Sequence, residues 1–322
     1  MAKEEKRLVL IDVMSLLHRA YHAYPQSLST KDGELTNAVY GFTSMLLSVM
    51  RKLKPTHIAV AWDVGKPTFR HEEYEGYKES REKPDEELLG QIERTEEVID
   101  SLNIPQFGLE GYEADDLIGS LSKQGAEKED AEVVIVSGDR DALQLVEDNK
   151  VKVWMPAAPG RYSKNRGPKI YNEEAVKAKY GLGPEQLIDL KALMGDSSDD
   201  IPGIKGIGKV TATKLMKKYG SLDNIYEALG SDEGRKAIED LVGARFAGLL
   251  ESGKESAYMS RMLGEIKRDV PIELSWSDCK VVDYDKDKAS ELFTELDFKS
   301  LLGKLPADSW DKDLEEVFLA EE

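Results

Sequence analysis

The sequence predicts an α/β protein with a mostly parallel central sheet flanked by helices, followed by a smaller all-helical subdomain. Short apolar runs rich in β-branched residues alternate with longer helix-like segments, the rhythm of parallel strands joined by crossover helices. Each of those runs ends in, or just before, an aspartate. Beyond Asn172 the pattern changes to helical segments punctuated by glycine.

The strand candidates are LVLID (8–12), HIAVAWD (57–63) and EVVIVSGD (132–139), which deliver Asp12, Asp63 and Asp139. The crevice beyond the carboxyl ends of parallel strands is the usual ligand site of an open α/β sheet. One such aspartate reads as a turn residue; three on three strands read as a site. Residues 64–102 are highly charged; the first half has little to bury and reads as a mobile loop or exposed helix, and the second has helical apolar spacing at Leu88, Ile92, Val98, Ile99 and Leu102. GYEADDLIGSLSKQ (111–124) is a helix with an acidic first turn and Leu117, Ile118 and Leu121 facing the core. A loop rich in Gly, Pro and basic residues, 156–169, leads out of the sheet. Residues 172–266 are read as the helical subdomain, 267–305 return to the core through one amphipathic closing helix, KASELFTELDFKSLLGKL, and 306–322 are an acidic tail that reads as a frayed end.

Composition narrows the chemistry. The chain has 322 residues, 40% hydrophobic and 33% charged, enough to bury a core without staples. A single cysteine, Cys279, excludes an internal disulfide and a Cys-rich zinc site, and four scattered histidines do not suggest a His-built centre. No run is long enough for a membrane span and the apolar stretch near the start is too short for a secretory signal, so a cytoplasmic protein is expected. The net charge of −18 argues at first against a nucleic-acid partner.

The acids are gathered, however. EADD supplies Glu113, Asp115 and Asp116; SGDRD supplies Asp139 and Asp141; GDSSDD supplies Asp196, Asp199 and Asp200. Each cluster alone reads as helix capping or turn chemistry. Together at the end of one sheet they repel one another unless cations intervene. Hard oxygen donors without His or Cys suit Mg²⁺ or Mn²⁺. So large a rim suggests two ions, the arrangement that clamps an in-line phosphoryl displacement. The reading is metal-assisted phosphodiester hydrolysis.

IPGIKGIGKVTATKLMKKYG (201–220) supports it. Gly203–Lys209 fits GxxxxGK, but Val210 stands where a P-loop needs Ser or Thr and no strand precedes it, so nucleotide binding is rejected. Read as helix, Gly206-Ile-Gly208 hairpin, helix, the segment offers backbone N–H groups to phosphate, with Lys205, Lys209, Lys214, Lys217 and Lys218 and no acid. Such a device grips the backbone of DNA without reading sequence. In FRHEEYEGYKESR, Lys78 and Arg81 lie one helical turn apart and can present two cations to one phosphate, with Arg70 upstream; Tyr77 is a candidate for stacking on a base.

In this order, TNAVYGFTSML, KPTHIAVAWD, FRHEEYEGYK, GYEADDLIG, VSGDRD and GDSSDDIPGIKGIG resemble the 5′ nuclease (flap endonuclease) superfamily, most nearly the N-terminal 5′–3′ exonuclease domains of bacterial polymerases, over residues 8–305. The resemblance implies a PIN-like core over 1–171, a helical arch over about 64–90 and a helix–hairpin–helix subdomain holding duplex DNA. It implies a first metal ringed by Asp12, Asp63, Glu113, Asp115 and Asp116, and a second by Asp139, Asp141, Asp196 and Asp199, as Mg²⁺ with Mn²⁺ able to substitute. Lys78 matches the arch lysine that approaches the scissile phosphate, Arg81 its companion, and Arg19 an arginine near that phosphate. The hairpin, with Lys205, Gly206, Gly208, Lys209, Thr211 and Lys214, matches the DNA-backbone clamp, where relatives hold K⁺. The family implies DNA with 5′ flaps, nicks or 5′ ends as substrate, RNA primer strands included, cleavage to 5′-phosphate and 3′-hydroxyl, and work in primer removal and repair. It further implies a monomer serving a DNA polymerase, attached or separate. This chain departs at Asp12-Val13-Met14-Ser15, where Asp-Gly-Asn-Ser is usual, at Asp200, where Asn is usual, and at Gly208-Lys209-Val210-Thr211-Ala212, where the lysine is moved by one place. The rivals are a DNA-junction binder that has lost catalysis and a PIN-type ribonuclease. The first should lack metal carboxylates; the second should lack the hairpin subdomain. Nine negative charges belong to the carboxylates implied as ligands and six to the tail, leaving the remainder at −3, so the net charge does not exclude DNA.

Overall fold

A computed structural model describes residues 6–65, 67–147, 150–157 and 167–306. The acidic tail and the tip of the 156–169 loop therefore lie outside the described residues.

The apolar runs form the centre of one sheet. The strands are β1 (Arg7–Asp12), β2 (His57–Ala61), β3 (Gln106–Phe107), β4 (Glu132–Val136), β5 (Val151–Met155) and β6 (Lys169–Tyr171). Their order is β3-β2-β1-β4-β5-β6, parallel throughout except that β6 runs antiparallel to β5. The chain winds outward from β1 to one side and then returns to place β4 on the other. The C-terminal end of β1 is thus the switch point where crossover helices leave on opposite faces and a crevice opens. Asp12 sits there. β1, β2 and β4 are buried almost throughout, because helices cover both faces.

On one face helices Val13–Ala23 and Asn37–Leu53 pack with Phe293, Leu296, Phe298 and Leu301 of the returning C-terminal segment. That segment was expected as one amphipathic helix. It is two, Lys286–Glu295 and Lys299–Leu302, broken where Asp297 takes a left-handed conformation. On the other face helix Ala114–Lys128 buries Leu117, Ile118 and Leu121.

The boundary of the helical unit moves from the expected 172. Helix Glu173–Tyr180 buries Val176 in the sheet's own core, whereas the helical unit's separate core begins at Leu182 and takes in Leu193, Ile207, Leu215, Ile225 and Leu250. The expected arch region differs too. Over residues 67–90 it is two short helices, Phe69–Glu73 and Glu86–Leu89, joined by turns that lie against the loop 196–200.

Candidate functional site

Three strand ends and two loops bring carboxylates to one edge. Asp12 is 5% exposed and caps helix Val13–Ala23: Ser15 N–H donates to Oδ1 at 3.0 Å and Ser137 Oγ to Oδ2 at 2.8 Å. Val13-Met14 in place of the usual Gly-Asn therefore leaves the aspartate seated. Asp63 is exposed just past β2 and accepts from Ala114 N–H at 2.8 Å, which ties it to the start of the EADD helix. Asp139 accepts from Asp141 N–H at 2.9 Å, closing the turn after β4.

These inner acids feel one another. Burial, with Asp63 and Asp139 nearby, pushes Asp12 up to about 7. Burial, with Asp12, Asp139 and Asp141 nearby, holds Asp115 well above the carboxylate range. Raised values of this origin mark a place where negative charge waits for a cation.

An outer group comes from the second loop. Gly195 and Gly203, both at positive φ, let the chain cross itself: a Cβ on Gly203 would fall 2.1 Å from Gly195 N. Asp196 and Ile201 exchange backbone hydrogen bonds of 2.8 and 2.9 Å, closing the loop that carries Asp199 and Asp200. Asp141, Asp196 and Asp199 then offer oxygens within 4.8 Å of one another. All are carboxylates, the hard donor set that fits Mg²⁺ or Mn²⁺.

Cations line this rim. Lys78 Nζ donates to Glu113 Oε1 at 2.8 Å, and Arg81 Nη2 to Asp199 Oδ1 at 2.5 Å. Burial pushes Glu113 up, but Lys78 and Arg70 outweigh it and hold it below its ordinary value. Ser80 donates its N–H and its hydroxyl to Asp200, each within 2.8 Å, so the carboxylate at the family's Asn position fastens the turn that presents Lys78 and Arg81. Lys191, which the sequence reading passed over, bridges Asp141 and Asp196. Its signal was a lysine four residues ahead of GDSSDD on a helix aimed at that loop.

Three expected roles are corrected. Arg70, expected at DNA, is 2% exposed. Its guanidinium grips Asp116 at 2.7 and 2.8 Å, and donates to the carbonyls of Leu263 and Glu265 at 2.8 and 2.7 Å. Asp116, expected at a metal, is 0% exposed and accepts also from the N–H groups of Lys267 and Glu113. With its lone pairs taken, it fastens the EADD helix to the segment after helix Lys254–Gly264. Tyr77, expected to stack on a base, is buried with its hydroxyl on Glu113.

The remaining DNA candidates lie elsewhere. Arg19 donates to the carbonyl of Ala157 beside the 156–169 loop. Gly206, at positive φ, and Gly208, the N-cap of helix Lys209–Tyr219, form an exposed hairpin with Lys205, Lys209 and Lys214 exposed around it and Thr211 half-buried. Backbone N–H groups at such a helix start face outward, free for phosphate.

Comparisons with known proteins bear on the family and the fold. A family model described as 5′-3′ exonuclease, N-terminal resolvase-like domain, matches residues 7–181, and one described as 5′-3′ exonuclease, C-terminal SAM fold, matches 182–287. The junction between them falls where the second core begins. DNA polymerase I of Bacillus caldotenax is 42% identical over 307 residues, covering 95% of this chain and 33% of that protein. DNA polymerase I of Bacillus subtilis is 42% identical over 319 residues, covering 98% and 34%. The chain thus spans about a third of the length of these relatives. Among solved structures, the T5 D15 protein co-crystallized with metal ions shares the fold at TM-score 0.64 and 19% identity, covering 97% of this chain and 99% of that one. The catalytic core of Rad2 in complex with DNA substrate does so at TM-score 0.55 and 16% identity, covering 90% and 87%.

Proposed function

The chain belongs to the 5′–3′ exonuclease family of nucleases, and from that premise we propose that it is a Mg²⁺-dependent, structure-selective nuclease acting on DNA with 5′ flaps, nicks or 5′ ends. The observation that carries this is the meeting of acids from the ends of β1, β2 and β4 with those of loop 196–200, beside Lys78 and Arg81.

Asp12, Asp63, Asp115 and Asp139 would hold one ion, and Asp141, Asp196 and Asp199 a second; Mn²⁺ offers the same donor preference. Divalent ions bound there supply an acidified water and offset the charge that builds on a phosphate during hydrolysis. The chain does the rest. Glu113 holds Lys78 at the rim, and Asp200 holds the turn that carries Lys78 and Arg81, so both cations are pre-aimed at a phosphate. The exposed hairpin and its lysines grip the duplex backbone and set which bond reaches the acids. Ser–His or Cys–His nucleophile pairs have no part in this scheme, and cleavage leaves 5′-phosphate and 3′-hydroxyl. Primer removal and repair, an RNA-primed strand as substrate, a cytoplasmic setting and a monomer working beside or joined to a polymerase complete the reading.

The test is a labelled 5′-flap duplex. Cleavage near the junction with Mg²⁺, lost on adding chelator, is expected. Binding without cleavage by folded protein supplied with Mg²⁺ or Mn²⁺ would instead favour a junction-binding protein.

A further inference from the structure

The outer carboxylates already have cations of the chain's own. Lys191 Nζ donates to Asp141 Oδ2 and, at 2.5 Å, to Asp196 Oδ2. Asp141 and Asp196 are two of the three carboxylates that offer oxygens within 4.8 Å of one another. An ion drawing on those carboxylates shares them with the ammonium, and two cations held beside the same carboxylates repel. The ammonium is not a stray surface group. It is 16% exposed, against 18% and 19% for its two partners, and its stem rises from helix Gln186–Met194 along Gly264. The inner group differs: Asp12 is held by neutral donors, the Ser15 N–H and the Ser137 hydroxyl.

We propose that Lys191 is a positioning residue that competes with the outer ion: it keeps Asp141 and Asp196 facing one another and lowers that ion's affinity, so that the inner ion loads first. This rests on the reading of the outer acids as an ion site. The ammonium must swing away as the ion enters, and the cost of displacing it separates the two affinities. Loading of the outer ion then becomes the step at which low metal concentration limits the enzyme.

The experiment titrates Mn²⁺ into the chelator-treated and then desalted full chain at mildly alkaline pH, reading free Mn²⁺ by electron paramagnetic resonance. Wild type should show a tight and a weak class. Lys191→Met, which keeps the stem and removes the charge, should tighten the weak class on the order of tenfold. Lys191→Arg should keep it weak. In parallel, Lys191→Met should melt lower than wild type in chelator yet gain more from added metal, since a ligand that binds the folded state more tightly raises the melting point further. A lysine with a purely structural role would lower both melting points alike, and that result overturns the proposal. Two classes in wild type with an unchanged or weaker second class in Lys191→Met also overturn it. A single class in every variant removes the outer ion site itself and the proposal with it.

Discussion

Two groups of acids meet at one edge of the sheet and are kept there by opposite means. Among the described contacts the inner acids have neutral donors, Ser15 and Ser137 on Asp12 and the Ala114 N–H on Asp63, and they push one another's protons on. The outer acids have Lys191 and Arg81, and Asp196 is held down at about 2, where burial is outweighed by Lys191 and Ser198. Asp141 stands between the groups: burial and Asp139 lift it to about 6 even though Lys191 touches it. Lys78 eases Asp63 and Asp115 without offsetting their burial, so the inner group still calls for a cation from outside, whereas Lys191 and Arg81 sit directly on the outer acids. An enzyme can keep a strained, charge-rich centre only if the rest of the molecule holds it in place, and here the outer group is part of what holds.

The sharpest way to break that comparison is to remove one acid from each group. Asp115→Asn should cut single-turnover cleavage at least about a thousandfold, because it takes away a donor for the proposed inner ion. It should also raise the melting temperature in chelator by roughly a few degrees, since an acid with a raised pKa opposes folding at neutral pH. Asp199→Asn should cost less activity and lower the melting temperature, because Arg81 loses its partner; that pair is part-exposed, so about 1 kcal/mol or less is expected. If both variants melt lower, the inner acids are not under mutual repulsion.

Asp116 lies beside Asp115 in sequence yet belongs to neither group. Asp116→Asn should destabilise the fold by about 3–5 kcal/mol, the usual cost of breaking a buried ion pair from one side. Urea unfolding should show the same loss with and without Mg²⁺, and the folded fraction should bind as many Mn²⁺ ions as wild type. A loss of bound Mn²⁺ would return Asp116 to the metal.

That residue also shows where sequence reading stops. β1, β2 and β4 were legible because burial on both faces leaves an unbroken apolar run, and their terminal acids because each run ends in one. β3, of two residues, and β6, of three and half in solvent, carry no pattern to read. Acids were legible as a set, since carboxylates need a reason to gather. Which of them face a metal was not: Asp116 is claimed by Arg70 from 46 positions away, and Arg70 by carbonyls nearly 200 positions on. Arg70 and Tyr77 sit in a strongly charged stretch and read as exposed. Only packing against helix Lys254–Gly264 buries them.

A pH titration separates the groups next. Asp12 rises from an ordinary 3.8 to about 7 in the fold, so its contribution to stability is fully present below about 4 and is lost as pH climbs through 7. Asp115 acts in the same direction. Asp196 acts oppositely, its contribution being lost only as pH falls through about 2. Between mildly acid and mildly alkaline pH the inner acids therefore set the slope. Chelated protein should lose on the order of 2 kcal/mol across that range by urea unfolding. Saturating Mg²⁺ should flatten the loss, because the ion takes the place of the protons. A profile that rises toward alkaline pH in chelator would mean that the outer pattern, acids paired with fixed cations, governs the inner acids too.

The smallest effect lies farthest from both groups. Lys209 opens the helix after the hairpin, exposed, with no acid in that first turn. If the hairpin grips phosphates without touching the acids, Lys209→Ala should weaken flap-duplex binding a few-fold and lower the salt slope of log Kd by about 1, one phosphate contact's worth. Single-turnover cleavage at saturating protein and Mn²⁺ binding should both stay at wild-type values. Val210, 73% exposed beside it, provides the complementary change. Val210→Lys adds a second lysine to the helix start and should steepen the slope by about as much as Lys209→Ala flattens it. Should Lys209→Ala slow cleavage at saturation as well, the hairpin would be positioning the scissile bond rather than only holding the duplex, and the division between a gripping surface and a cutting edge would have to be drawn inside the helical unit rather than between it and the sheet.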